Sequence, residues 1–159
     1  MKLKINWSKP VPMERAAHEG QIYSLDISKV PEDAGIYVFA RHWGKSYEAL
    51  YVGKSTNLRG RVRGHLNNLK LMKYLENAKA GKRVVIIGQS ITLPGQKIDK
   101  VLATLERAFI RHFLLEGHDL GNHQGVRIQR HEISSEGNLI KSFIPSLMYL
   151  EKGKGGSVS

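Results

Sequence analysis

The segment Ile36-Tyr37-Val38-Phe39-Ala40 constrains this chain more than any other. A strand sends alternate side chains to opposite faces, and here both alternating sets are apolar. Such a strand must be central and covered on both sides. A turn-rich stretch, Pro31-Glu32-Asp33-Ala34-Gly35, leads into it, and a loop containing Gly44 leads out. A second strand then runs from Tyr47 to Val52 and stops at Gly53. Two strands joined by so short a link pair antiparallel as a hairpin.

Ser55, Thr56 and Asn57 are all good helix N-caps, so a helix is expected to begin there. Leu58, Val62, Leu66 and Leu69 form its apolar stripe. Gly60 and Gly64 lie inside it at a cost of about 1 kcal/mol each, and their four-residue spacing predicts close packing against that side. A further helical stretch is expected over Leu69–Ala80, ending at Gly81, then a strand over Arg83–Ile87. The turn Leu93-Pro94-Gly95 precedes the clearest helix, in which Ile98, Val101, Leu102, Leu105, Phe109 and Phe113 recur at three- and four-residue steps before Gly117. Residues 2–7 and 21–27 alternate as strands do, and Val126–Ile133 with Leu139–Leu150 reads as an edge hairpin. Gly153–Ser159 reads as a flexible tail. The implied organisation is an N-terminal extension (1–30), a core domain (31–125), a C-terminal β extension (126–150) and the tail (151–159).

The chain has 159 residues, a length that suits one domain, and its formal net charge is +11. An excess of this size points to a polyanionic partner such as nucleic acid. The charge is concentrated: residues 54–83 hold nine basic side chains and the single acid Glu76, a net +8. A helical region this basic suits a phosphate-tracking surface, with Lys54, Arg59 and Arg63 as candidate substrate contacts; the alternative is a solvated helix face. Cysteine is absent, which excludes disulfide scaffolds, thiolate zinc sites and thiol nucleophiles. The N-terminus has no secretory pattern, and the longest clean aliphatic run is Val84-Val85-Ile86-Ile87, far from the ~20 residues of a membrane helix. A soluble, cytoplasmic protein without a membrane partner is therefore expected.

Several polar side chains stand where local structure does not ask for them. Arg61 and His65 are four apart and hence neighbours on one helix side. Glu106 lies roughly 70° from the centre of the long helix's apolar stripe, beside Leu102 and Ile110. A carboxylate that close to a core is either paired or holds a cation. Hairpin pairing brings the phenols of Tyr37 and Tyr51 to one face. Each residue alone has a plainer reading: the tyrosines as core aromatics, Arg61 as a surface arginine, His65 as a border histidine. Glu106 alone reads as an ion-pair partner of Arg107, Arg111 or Arg61, and Asn122 as a turn residue.

Taken jointly, Gly35-Ile36-Tyr37, Tyr51-Val52-Gly53-Lys54-Ser55, Asn57-Leu58, Arg61 with His65, Glu106 and Asn122 resemble, in order and spacing, the GIY-YIG nuclease family. The resemblance covers about residues 34–123. It implies an α/β domain of the α+β type: a three-stranded antiparallel sheet flanked by helices, cutting phosphodiester bonds with one divalent metal, Mg²⁺ or Mn²⁺. By that similarity Glu106 is the metal ligand and Tyr37 activates the attacking water. Tyr51 positions water or phosphate, Arg61 contacts the scissile phosphate, and His65 supports either. Asn122 matches a structural or substrate-proximal asparagine. A phenol titrates near 10, so a tyrosine base needs its pKa lowered by cations, here Lys54, Arg61 and His65.

Val52 departs from the commoner isoleucine of the second tripeptide, and the stretches 69–93 and 106–122 are longer than a minimal core needs. Gly53-Lys54-Ser55 is not a nucleotide-binding loop, because Glu48 stands where its first glycine is required. His118 and His123, with Asp119, form a possible chelating loop, or simply a solvent-exposed one. Two functions fit: a metal-dependent DNA endonuclease, or a noncatalytic nucleic-acid-binding module of the same fold.

Overall fold

A computed structural model describes residues 2–125 and 127–152; of the expected tail, 153–159 lie outside the described residues, while Glu151 ends a strand instead. In chain order the elements are β1 (Lys4–Trp7), β2 (Val11–Pro12), β3 (Glu14–Arg15), β4 (Tyr23–Ser24) and a 3₁₀ turn at Ile27–Lys29. Then come β5 (Gly35–Trp43), β6 (Ser46–Ser55), α1 (Leu58–Leu66), α2 (Leu69–Asn77) and β7 (Lys82–Ile91). The last are α3 (Ile98–Leu115), the short α4 (Asn122–Gly125), β8 (Arg130–Ser134) and β9 (Leu147–Glu151).

β5 is central, as its two-sided apolarity requires, and pairs antiparallel with β6 on one side and β7 on the other. Every residue from Ile36 to Ala40 is at most 2 % exposed. The sheet has five strands rather than the three expected, because β1 and β2 both add to the outer edge of β7. That partner also explains why β7 continues to Ile91, beyond the expected end at Ile87: Lys4 lies opposite Ile91. The expected strand over 21–27 is reduced to Tyr23–Ser24, because Asp26 caps the 3₁₀ turn that follows.

Two cores lie on the two faces of the sheet. Tyr37, Phe39, Tyr51 and Val85 pack under Leu58, Val62 and Leu66 of α1 and Leu71, Met72 and Leu75 of α2. Ile36, Val38, Val52 and Val84 pack under Val101 and Leu105 of α3. The expected hairpin is present, with one irregularity: Phe39 lies opposite Tyr51 but Ala40 lies opposite Ala49, leaving Leu50 as an extra residue. That bulge shifts the alternation, so Leu50 and Tyr51 both belong to the first core.

Asn57 caps α1 as its type predicts, accepting from the Gly60 N–H at 3.1 Å. The Leu58 and Arg59 amides donate to the carbonyls of Asp33 and Pro31, which seats the helix on the turn before β5. The packing expected against Gly60 and Gly64 does not occur. A Cβ on Gly64 would meet nothing, and one on Gly60 would meet only the Asn57 cap, so the glycine side of α1 is open. α2 ends at Asn77 rather than Ala80, since Arg83 draws the carbonyls of Leu75, Ala78 and Gly81 onto its guanidinium. The C-terminal strands β8 and β9 form a separate two-stranded sheet, not an edge of the main one. Among the described residues no helix is long and apolar enough to cross a membrane.

Candidate active site

β6 is the free edge of the main sheet, and the site is built around that edge. Tyr51 and Val52 are consecutive and face opposite sides. α1 lies over the Tyr51 side and α3 over the Val52 side. Side chains from the two helices can meet only by reaching past the edge strand. Arg61 from α1 and Glu106 from α3 do so, and with Tyr51, Val52, Asn122 and Ile128 they line one cavity of about 380 Å³. Glu106 is half-buried and Arg61 exposed.

Tyr37 lies under this cavity, 1 % exposed. Its ring crosses Gly53, the residue opposite it in register; a Cβ at Gly53 would overlap the phenol. That is the physical reason for glycine after Tyr51-Val52. The Tyr37 and Tyr51 rings stack with centroids 6.3 Å apart and planes 17° apart, and His65 packs against both. The Tyr37 hydroxyl is 2.6 Å from His65 Nε2. The Arg61 guanidinium lies near enough to pull the Tyr37 pKa down. Arginine offers donors alone, so beside it the phenolic proton turns to the histidine, whose neutral ring takes it on Nε2 in the tautomer protonated at Nδ1.

The electrostatics correct the expected tyrosinate. Burial raises the Tyr37 pKa, the neighbouring Tyr51 and Glu106 raise it further, and Arg61 offsets only part. Tyr51 is likewise raised, chiefly by burial and against the pull of Arg61. His65 is depressed to about 4, first by burial and then by the Arg61 charge. At neutral pH the Tyr37–His65 pair is therefore uncharged on both sides. Desolvation outweighs the basic cluster because the phenol lies inside the core while Arg61 stays in water.

Five expected catalytic residues, Tyr37, Tyr51, Arg61, His65 and Glu106, thus converge. The expected substrate contacts divide. Lys54 and Arg63 are exposed. Arg59 is turned away from the cavity: Nε donates to Val30 O at 2.7 Å, Nη1 to Glu32 at 3.1 Å, and Nη2 to Ser28 O. It ties α1 to the segment before β5. Asn122 lines the cavity, but both ends of its amide are spent on one residue: Oδ1 accepts from Val52 N–H and Nδ2 donates to Val52 O. It stands in for a neighbouring strand on the free edge of β6, which makes it structural. In the possible chelating loop His118 Nδ1 accepts from the Ala49 N–H at 3.1 Å, and the His123 side chain lies outside the described residues.

One cavity residue escaped the sequence reading. Glu151, at the end of β9, lines the same space as Glu106 and Arg61. It sits 45 residues beyond Glu106, directly after a segment whose pattern suggests only an edge strand, and the packing of β9 on α3 brings it there. Among the described residues no three of the usual nitrogen, sulfur or carboxylate metal ligands cluster. The donor set fits a hard cation such as Mg²⁺, which takes one or two carboxylates and completes its octahedron with water and substrate oxygens. Comparison with protein-family models, curated proteins and solved structures returned no match.

Proposed function

We propose that the protein is a divalent-metal-dependent endonuclease that hydrolyses phosphodiester bonds in DNA, with the GIY-YIG site organisation that its motifs resemble. The reading is carried by one observation: a carboxylate from α3 and an arginine from α1 line one cavity, beside a buried tyrosine–histidine pair from β5 and α1, on a strongly basic chain.

Arg61 presents paired N–H donors that match two oxygens of the scissile phosphate. Glu106, with Glu151 across the cavity, would hold Mg²⁺ or Mn²⁺, which when bound offsets phosphate charge and acidifies water. Tyr37 serves as a relay instead of a pre-formed base. As water attacks phosphorus, its proton passes to the Tyr37 oxygen while the phenolic proton passes to His65 Nε2, so no tyrosinate forms. Histidine ends as imidazolium, the P–O bond to the leaving oxygen breaks, and that oxygen takes a proton from solvent. Substrate strengthens the base: a phosphate on Arg61 offsets the positive charge that helps to hold His65 near 4. Tyr51, stacked beside Tyr37, closes the other side of the reacting water.

Supercoiled plasmid incubated with Mg²⁺ or Mn²⁺ tests the proposal, with Glu106→Ala and Tyr37→Phe alongside. The parent should nick, Glu106→Ala should not, and Tyr37→Phe should lose about 10²–10⁴ in rate. A parent that binds DNA in a salt-sensitive manner and never nicks, on plasmid or on branched duplex, would identify a noncatalytic binding module instead. Wild-type cleavage by Tyr37→Phe across a pH series would remove the relay.

A further inference from the structure

We propose that the C-terminal arm carries a second phosphate site for the same nucleic acid, with Arg127 and Lys152 as its donors. This rests on the reading of nucleic acid as partner and extends it to a region outside the motif-bearing core.

The placement follows from alternation along two short segments. Ile128 and Glu151 face the catalytic cavity, whereas Arg127, Gln129 and Lys152 line a second concavity of about 470 Å³ together with Arg130 and His131. The two hollows share one wall. That wall is pinned by the Ile128 amide on Leu120 O at 2.7 Å, the Lys152 amide on Gln129 O at 2.8 Å, and the pairing of Arg130 with Glu151 across β8 and β9. A strand of nucleic acid leaving Arg61 past Glu151 meets this second hollow next.

Its chemistry suits a phosphodiester. The charged residues lining it, Arg127, Arg130 and Lys152, are all cationic. Asp119 bridges both arginines at 3.0 Å, which leaves two positive charges in excess. The arginines divide the work. Arg130 is a support, its side chain 11 % exposed, donating to the carbonyls of His118 and Gly117 and lying 4.0 Å over the Tyr149 ring. Arg127 keeps 63 % of its side chain exposed while Asp119 receives its Nε and Nη2, so its fork is oriented but its outer edge faces solvent. An oriented arginine beside a lysine is a built phosphate site, unlike a scatter of surface lysines, whose side-chain freedom must be lost on binding.

The test is the salt dependence of binding to a duplex of about 20 base pairs by fluorescence anisotropy, in the full chain carrying Glu106→Gln so that nothing is cut. Adding Arg127→Gln and Lys152→Gln should lower the slope of log affinity against log salt by about 1–2 and weaken binding about tenfold at low salt. An unchanged melting temperature shows that the arm is still folded, and Lys152→Gln alone, which touches no ion pair among the described residues, should lower the slope by about 1. An unchanged slope overturns the site, as does a parent that does not bind the duplex. Inorganic phosphate bound by the parent and lost in the double variant, with no change in duplex slope, also overturns it, because the hollow then takes free phosphate alone. The plasmid assay fails separately: a parent that never nicks, yet loses slope in the variant, keeps this site and loses the nuclease.

Discussion

His65→Gln should flatten the acid limb of the protein's stability. The folded histidine titrates near 4 against 6.5 for an unperturbed ring. The unfolded chain therefore binds more protons between those values, and folding stability must rise with pH across that window. The contribution is fully present above pH 6.5 and is lost as pH falls toward 4. The gap corresponds to about 3 kcal/mol, at 1.36 kcal/mol per pKa unit. It needs little discount for solvent screening, since His65 is only 5 % exposed. In melting temperature this is about 6–12 °C for a chain of this size. Glutamine can still accept the Tyr37 hydroxyl proton through its carbonyl oxygen, so the variant removes the titration while retaining an acceptor. Urea unfolding at pH 4, 5, 6 and 7 should show the parent losing about 3 kcal/mol more than the variant between pH 7 and pH 4. Carboxylates such as Asp26, whose pKa is lowered by its hydrogen bonds to Ser28, contribute equally to both and cancel in the difference. Parallel profiles over the whole range would refute the neutral buried histidine, and with it the relay from Tyr37.

Asn122→Ala should cost about 2–4 kcal/mol, because it strands the buried N–H and C=O of Val52 together, and thermal melting reads this directly. A variant that melts like the parent but binds nucleic acid more weakly would return Asn122 to the substrate. Gly53→Ala should destabilise by about 1–3 kcal/mol and abolish nicking, since the new methyl displaces the Tyr37 phenol from His65 and Arg61; parental melting and nicking would show that the ring has room to move.

Some elements were legible from residue type alone. Ile36–Ala40 announced a central strand because its apolarity does not alternate, and α3 followed from spacings of three and four. Asn57 announced the start of α1, since a side-chain oxygen there satisfies an otherwise unpaired amide. The five convergent residues were legible only as a set, through the resemblance of their order and spacing, since each alone has a plainer reading. Other features have no local signature. Charge suggests Arg59 as a substrate contact and the resemblance makes Asn122 structural or substrate-proximal, but Arg59 bonds Val30 O and Glu32 and Asn122 bonds the Val52 backbone, all distant in the chain. The open side of α1 and the arrival of β1 and β2 on β7 likewise depend on what else folds nearby.

Local sequence alone determined the hairpin, the capped basic helix and the long amphipathic one, since period, cap and turn chemistry act over a few residues and carry their own evidence. Tertiary structure decided the rest. The extra Leu50 turns Tyr51 onto the Tyr37 face, burial and not the cationic cluster sets the phenol's acidity, and the packing of β9 on α3 brings Glu151 to Glu106. Register, desolvation and long-range docking depend on where the whole chain lies, and no window of neighbouring residues contains that information.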